Sequence, residues 1–384
     1  MNLSLACKAD RILGSIGYLF LKLFRKKNAL AKPEEVKMVA VVKFLGGGSL
    51  TLAAPAVLAL KQRFPAARFL LLTTPEVRPN AELLGIYDEI FLFSPQRPFA
   101  ALKTLFQLKH LLCSTASILI DLELYSRFTH ILTAWLSASR SIGLAQPGEK
   151  CLWDETIYVG KDVYMYDAYD RAALLAGAEV LPEHPQQFRV SGTAEKEKTL
   201  IAAPFCSALS LRREWDLDKW GCFLEEFSAL HEEFSIIILG APSDRERGEQ
   251  LRQMLSASRR NRAENWCGKA NFQTAFNAIR RSALFVGIDS APLHLARLSG
   301  TPAVSLWGAT EPRSLARPFK DYPEILLCAG RNCTPCVHKD ALPCPCTPSC
   351  TAHISCAEVL RSVEELLAGK ITSSCFITPD TTEN

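Results

Sequence analysis

Residues 283–312 read "ALFVGIDSAPLHLARLSGTPAVSLWGATEP". A buried strand runs out at Asp289, Ser290 stands at an N-cap position, and "APLHLARLSG" is a helix with Pro292 in its first turn and Gly300 as its stop. A second apolar strand then leads to "GATEP". Strand, cap and helix start place free backbone N–H groups and a positive dipole end at a sheet edge, where a phosphate binds well. His294, one turn into the helix, can face the same spot. The bland reading of the same pattern is a plain strand–turn–helix with a satisfied core histidine.

The rest of the chain repeats this alternation. "KMVAVVKF" (37–44), "RFLLLTT" (68–74), "EIFLFS" (89–94) and "SILIDLE" (117–123) are strand-like, with helical patterns near 50–64, 97–113 and 126–138. After the polar stretch "RVSGTAEKEK" (189–198), the pattern restarts with "TLIAAPF" (199–205), "FSIIILG" (234–240), "LFVGID" (284–289) and "PAVSLWG" (302–308). Strands apolar on both faces and joined by helices indicate parallel sheets. The expectation is an α/β chain of two doubly wound, Rossmann-like domains with a ligand in the cleft between them. Its expected parts are an amphipathic N-terminal helix (1–33), a first domain (34–188), a second domain (189–355), a closing helix (356–370) and a flexible tail (371–384).

The 384 residues are 48% hydrophobic and 22% charged, which suits two globular domains. A net charge of +4 is too small to argue for nucleic acid. In "KADRILGSIGYLFLKLFRKKN" (8–28), apolar residues recur at three- and four-residue steps among lysines and arginines. Such a helix suits an anionic leaflet or packing on the protein's own surface, and a cleaved signal peptide, with "ALA" (29–31) as its site, is a third reading. Six of the 14 cysteines crowd into 333–356. In a large α/β chain, reduced thiols in a cytosol are the default. Cys333-x-x-Cys336 and Cys346-x-x-x-Cys350 have the spacing of two halves of a structural zinc site, although a metal-free loop fits as well.

"VGIDSAPLHLARLSGTPAVSLWGATEP" resembles the signature of the family-9 glycosyltransferases, whose best-known members are lipopolysaccharide heptosyltransferases. "LRREWDLDKW" (211–220) is similar to that family's Lys/Arg-x-Trp-Pro segment, which puts Arg213 at the donor diphosphate. "IIILGAPSDRERGEQ" (236–250) is similar to its ribose-binding segment, with Asp244 as the counterpart and Glu246 behind it. "SILIDLELYSRFTHILTAWLSASRSIGL" (117–144) looks like its acceptor-side segment. The resemblance implies a GT-B fold. It implies donor contacts at Arg213, Asp244, Glu246, Asp289, Ser290, Ala291, His294 and Thr310, and needs no cofactor. It also implies a nucleotide-diphospho-sugar donor, most simply ADP-heptose, a lipid-linked glycan acceptor, and work at the cytoplasmic face of the inner membrane. The closing helix often packs on the first domain in such proteins.

One departure concerns the turn "VVKFLGGGSL" (41–50). The glycine turn Gly46, Gly47, Gly48 is kept, but Ser49 stands where the resemblance expects the catalytic aspartate. An inverting transfer needs a base for the acceptor hydroxyl, and a serine alone is a poor one. Asp121 or Glu123, at the end of a first-domain strand, is the best-placed substitute. The turn is neither a Walker loop nor a full dinucleotide fingerprint. A catalytically silent sugar-nucleotide or glycan binder is the alternative, and a nucleotide-sugar epimerase a third.

Overall fold

Strands without a polar face need cover on both sides, and the helices between them supply it. A computed structural model of the chain describes residues 35–160, 163–179, 195–206, 211–330 and 350–378. The expected amphipathic segment 1–33 and residues 189–194 of the polar stretch lie outside these residues. The chain divides into two compact units, residues 1–182 and 183–384.

Unit 1 runs β1 (Met38–Lys43), α1 (Gly47–Arg63), β2 (Arg68–Thr73), α2 (Arg78–Leu84), β3 (Glu89–Leu92), α3 (Pro98–Ser114), β4 (Ser117–Asp121), α4 (Arg127–Leu136), β5 (Arg140–Ala145), β6 (Glu155–Tyr158) and α5 (Met165–Ala176). Its parallel sheet has the order β3-β2-β1-β4-β5-β6. Order reverses between β1 and β4, whose register sets Val42 beside Asp121. That reversal is the switch point where doubly wound sheets bind ligands.

Unit 2 runs β7 (Glu197–Ala203), α6 (Leu217–Leu230), β8 (Ser235–Ile238), α7 (Arg245–Gln253), α8 (Ala257–Arg260), β9 (Ala263–Asn265), α9 (Phe272–Arg281), β10 (Ser282–Ile288), α10 (Ala291–Ser299), β11 (Ala303–Trp307), α11 (Pro312–Leu315), β12 (Glu324–Cys328), α12 (Cys356–Leu367) and β13 (Ser374–Ile377). Its order, β13-β12-β11-β10-β7-β8-β9, repeats the plan with its switch point between β7 and β10. Two such parallel sheets are the architecture of the GT-B glycosyltransferases.

One expectation needs correction. The segment from 371 is not a tail throughout, because Ser374–Ile377 pairs in parallel with β12. The β12 edge offers unpaired backbone groups, and Ser374 locks the register: its N–H donates to Phe319 O (2.9 Å) and its hydroxyl to Glu324 Oε2 (3.0 Å). The closing helix α12 packs on α6 of its own unit. Its stripe Val359, Val363 and Leu366 joins the unit 2 core, and a Ser355–Glu358 capping box fixes its start.

Candidate functional site

At the unit 2 switch point, β10 delivers Asp289 and Ser290 to the mouth of α10. Ser290 occupies the N-cap position with extended backbone (φ −157°, ψ 171°), but its hydroxyl makes no cap bond. Ser290 Oγ is buried with no partner among the described residues, and so is Thr310 Oγ1, just beyond β11. Buried hydroxyls normally find partners. Both hydroxyls stand at the same sheet edge, at the ends of neighbouring strands. Ala291, the first residue of α10, is exposed.

Arg213 reaches this edge from the turn Leu211–Arg213. Its Nη1 donates to the Asp289 carbonyl at 2.8 Å and lies 3.8 Å from Asp289 Oδ2. Burial pushes the Asp289 carboxyl up, and Arg213 works against that shift. The Thr310 hydroxyl also favours the ionised form. His294 Nε2 stands 4.0 Å from Asp289 Oδ1. Burial, then Arg297 and Arg213, depress its pKa to about 3. The contact is thus no ion pair, and the ring is a neutral imidazole.

The ribose candidates separate. Asp244 is buried, and its Oδ2 accepts from Ala241 N at 2.8 Å, closing the turn Pro242–Asp244. Glu246 is exposed in the first turn of α7. Trp215 is structural: its indole N–H donates to Ile354 O at 3.0 Å. That bond anchors the turn Cys350–His353, which Gly308 admits. A Cβ at 308 would lie 2.6 Å from Thr351 Cγ2.

At the unit 1 switch point, Gly46 caps α1 in the left-handed region (φ 79°), a conformation that favours glycine. Gly47 lies beneath Asn80, whose Oδ1 would sit 2.2 Å from an added Cβ. Gly48 and Ser49 follow in the first turn of α1, and Ser49 lies close enough to the buried phenol of Tyr169 to favour its ionised form. Glu123 is almost wholly buried. Its Oε1 accepts from Phe44 N (2.6 Å) and Leu45 N (2.8 Å) and pairs with Lys43 Nζ at 3.1 Å. Burial pulls the Lys43 ammonium down, but Tyr169 and Glu123 outweigh it and raise its pKa. The two hydrogen bonds to Glu123 and its ion pair all use Oε1.

Asp121 is fully buried, and its Oδ1 accepts from Glu123 N at 3.0 Å. Burial lifts its pKa to about 8, so it is mostly protonated at neutral pH. The structure therefore brings Ser49, Asp121 and Glu123 to one edge and adds Lys43 and Tyr169, which sequence reading missed. Lys43 left a signal, a cation closing an otherwise apolar strand run. Tyr169 left none, since only the fold brings it to the turn. Of the zinc candidates, Cys333, Cys336 and Cys346 lie outside the described residues, and Cys350 is buried in the turn beneath Gly308.

Two Rossmann-like units, each with a switch point in its parallel sheet, give the chain the GT-B fold. Residues 173–344 match the family described as glycosyltransferase family 9 (heptosyltransferase). Lipooligosaccharide heptosyltransferase 2 of Haemophilus influenzae is 30% identical over 93 residues, 24% of this chain and 27% of that protein. The match thus spans about a quarter of that relative's length. The family 9 glycosyl transferase of Veillonella parvula superposes with TM-score 0.67 at 16% identity, over 88% of this chain and 99% of that one. Escherichia coli heptosyltransferase WaaC, solved with ADP-2-deoxy-2-fluoro heptose, gives 0.62 at 13% identity, over 86% and 99%.

Proposed function

We propose that the protein transfers a sugar, most simply heptose from ADP-heptose, to a lipid-linked glycan such as the lipopolysaccharide core, with inversion. The observation that carries this reading is the pair of partnerless buried hydroxyls, Ser290 and Thr310, beside Arg213 at the unit 2 switch point. Groups of that kind suit a diphosphate. The amides at Ser290 and Ala291, with Arg213, offset the charge that builds on the leaving group. His294 orients the donor as a neutral ring, and Asp244, with Glu246 behind it, holds the ribose. The bond between the anomeric carbon and the phosphate oxygen breaks as the acceptor oxygen attacks from the opposite face.

In this reading the acceptor proton goes to Glu123. Its Oε1 is fixed by Lys43 and two amides, so Oε2 is the oxygen left to take a proton. Asp121, neutral through burial, positions the Glu123 backbone. Tyr169 and Ser49 hold the glycine turn against Lys43 and Glu123.

The acceptor side is read as working at the inner-leaflet surface. No helix among the described residues is long and apolar enough to cross a membrane. Helix α3 instead exposes Phe99 (89%), Leu102 (51%) and Phe106 (55%) on one face with Lys103, and contains no acidic residue. That combination suits an anionic lipid surface.

The direct test is release of ADP from ADP-heptose in the presence of acceptor glycolipid. Turnover that needs the acceptor supports transfer, and turnover without it would point to the epimerase instead. One observation favours a second reading: Ser49 in place of an acid, next to a carboxylate already paired with Lys43, suits a silent nucleotide-sugar or glycan binder. Donor binding with no turnover on any of several nucleotide sugars would establish that reading.

A further inference from the structure

We infer that unit 2 carries a surface site for a thiolate-seeking divalent ion of the zinc type, formed by Cys222, Glu226 and Cys356. Cys222 and Glu226 are four residues apart on α6, so they share one helix face. Cys356 opens α12, the helix packed against that face. The sulfurs lie 2.8 Å apart, and Cys222 Sγ lies 3.4 Å from Glu226 Oε1. One ligand atom from each of the three residues falls within 4.8 Å of the others. The two sulfurs are not bonded, since a disulfide is about 2.04 Å long.

Two soft sulfurs and one carboxylate form a donor set that zinc prefers to magnesium or calcium. At about 2.3 Å from a tetrahedral ion, two sulfurs stand roughly 3.7 Å apart. The pair must therefore open by about 1 Å, which a small rotation of the exposed Cys222 side chain accomplishes. Binding releases the two thiol protons to solvent, and water completes the fourth position. Cys222 and Glu226 are exposed and Cys356 is half-buried, so the ion enters directly from solvent. These ligands are not the four cysteines whose spacing suggests zinc in the sequence, and the site does not depend on the sugar-transfer reading. Its effect is to clip α12 to α6, just after the turn Cys350–His353 that packs beneath Gly308.

The full chain, stripped with chelator under reductant, is titrated with zinc against a chromophoric competitor. Parallel samples receive cobalt(II), and sulfur-to-cobalt absorption is read. Cys222→Ser/Cys356→Ser is expected to lose one equivalent of zinc and the matching share of the absorption. Glu226→Gln is expected to weaken that equivalent roughly tenfold. A chain with Cys333, Cys336, Cys346 and Cys350 all changed to Ser is expected to keep it. If that variant does not fold, the loss of one equivalent in the Cys222→Ser/Cys356→Ser chain decides alone. Unchanged stoichiometry in that double variant overturns the proposal. So does a Cys222–Cys356 disulfide found by non-reducing peptide mapping, if the reduced protein then takes up no ion at this pair.

Discussion

The two sheets share one strand order and end in opposite ways at their switch points. In unit 2 the edge holds two buried hydroxyls without partners, with an arginine already turned toward the Asp289 carbonyl. In unit 1 the edge is internally neutral: Glu123 is matched by Lys43 and two backbone amides. An edge prepared for an anion leaves donors open. An edge prepared for an uncharged hydroxyl balances its charge beforehand and leaves a single oxygen to act. On the proposed function, the same topology serves two ligand chemistries through a handful of strand-end residues.

The contrast breaks most sharply at Glu123. Glu123→Gln is expected to lower transfer by about 10²- to 10⁴-fold, with ADP-heptose affinity by calorimetry unchanged. Activity within twofold of the parent would remove proton transfer from the unit 1 edge. Lys43→Met leaves that carboxylate buried and unmatched, and is expected to cost about 3–5 kcal/mol of stability. Thermal and urea melts would show it, and a melt like the parent's would mean that the pair is not what neutralises this edge.

The unit 2 edge predicts the reverse pattern. Ser290→Ala and Thr310→Val each remove a hydroxyl that bonds nothing in the ligand-free protein, so stability is expected to hold or rise slightly. Donor Kd is expected to rise about tenfold or more in each, the worth of a hydrogen bond to a charged group. A loss of stability with Kd unchanged would show that these hydroxyls serve the fold.

A further effect separates the edges by pH. The folded Asp121 carboxyl has a pKa of about 8 against an ordinary value of 3.8. Between those values the folded state binds more protons than the unfolded one. Stability therefore declines as pH rises through that window and levels off above it. Asp121→Asn is expected to remove this part of the slope, read from melts at several pH values. An identical slope in both proteins would place Asp121 in a more solvated setting.

Sequence reading recovered much of both sheets because a strand apolar on both faces announces itself. The runs "KMVAVVKF" and "SILIDLE" became β1 and β4, and "LFVGID" became most of β10. Short strands with little apolar length were not legible. Glu155–Tyr158 and Ala263–Asn265 are strands only because a neighbour's edge was available. Ser374–Ile377 was hidden for the same reason, inside a polar end segment.

The candidate site divides along a similar line. Asp289, Ser290 and His294 were found because strand, cap and helix lie in one contiguous stretch. The Lys43–Glu123 pair and Tyr169 are joined across the sheet, and no local pattern carries such a contact. Asp244 was located by motif, but its carboxylate also closes its own turn, which spacing does not reveal.

Gly308 links two parts of unit 2 that seem unrelated. Its missing side chain lets the Thr351 backbone N approach to 3.1 Å from where a Cβ would stand. The Thr351 hydroxyl in turn holds the Glu214 carbonyl at 2.8 Å, next to Arg213. Position 308 therefore works as a bearing surface. A tug on α12 is passed through one tight contact to the loop carrying Thr310 and, by the Glu214 bond, to the donor-side arginine, so even an alanine there would loosen both grips at once.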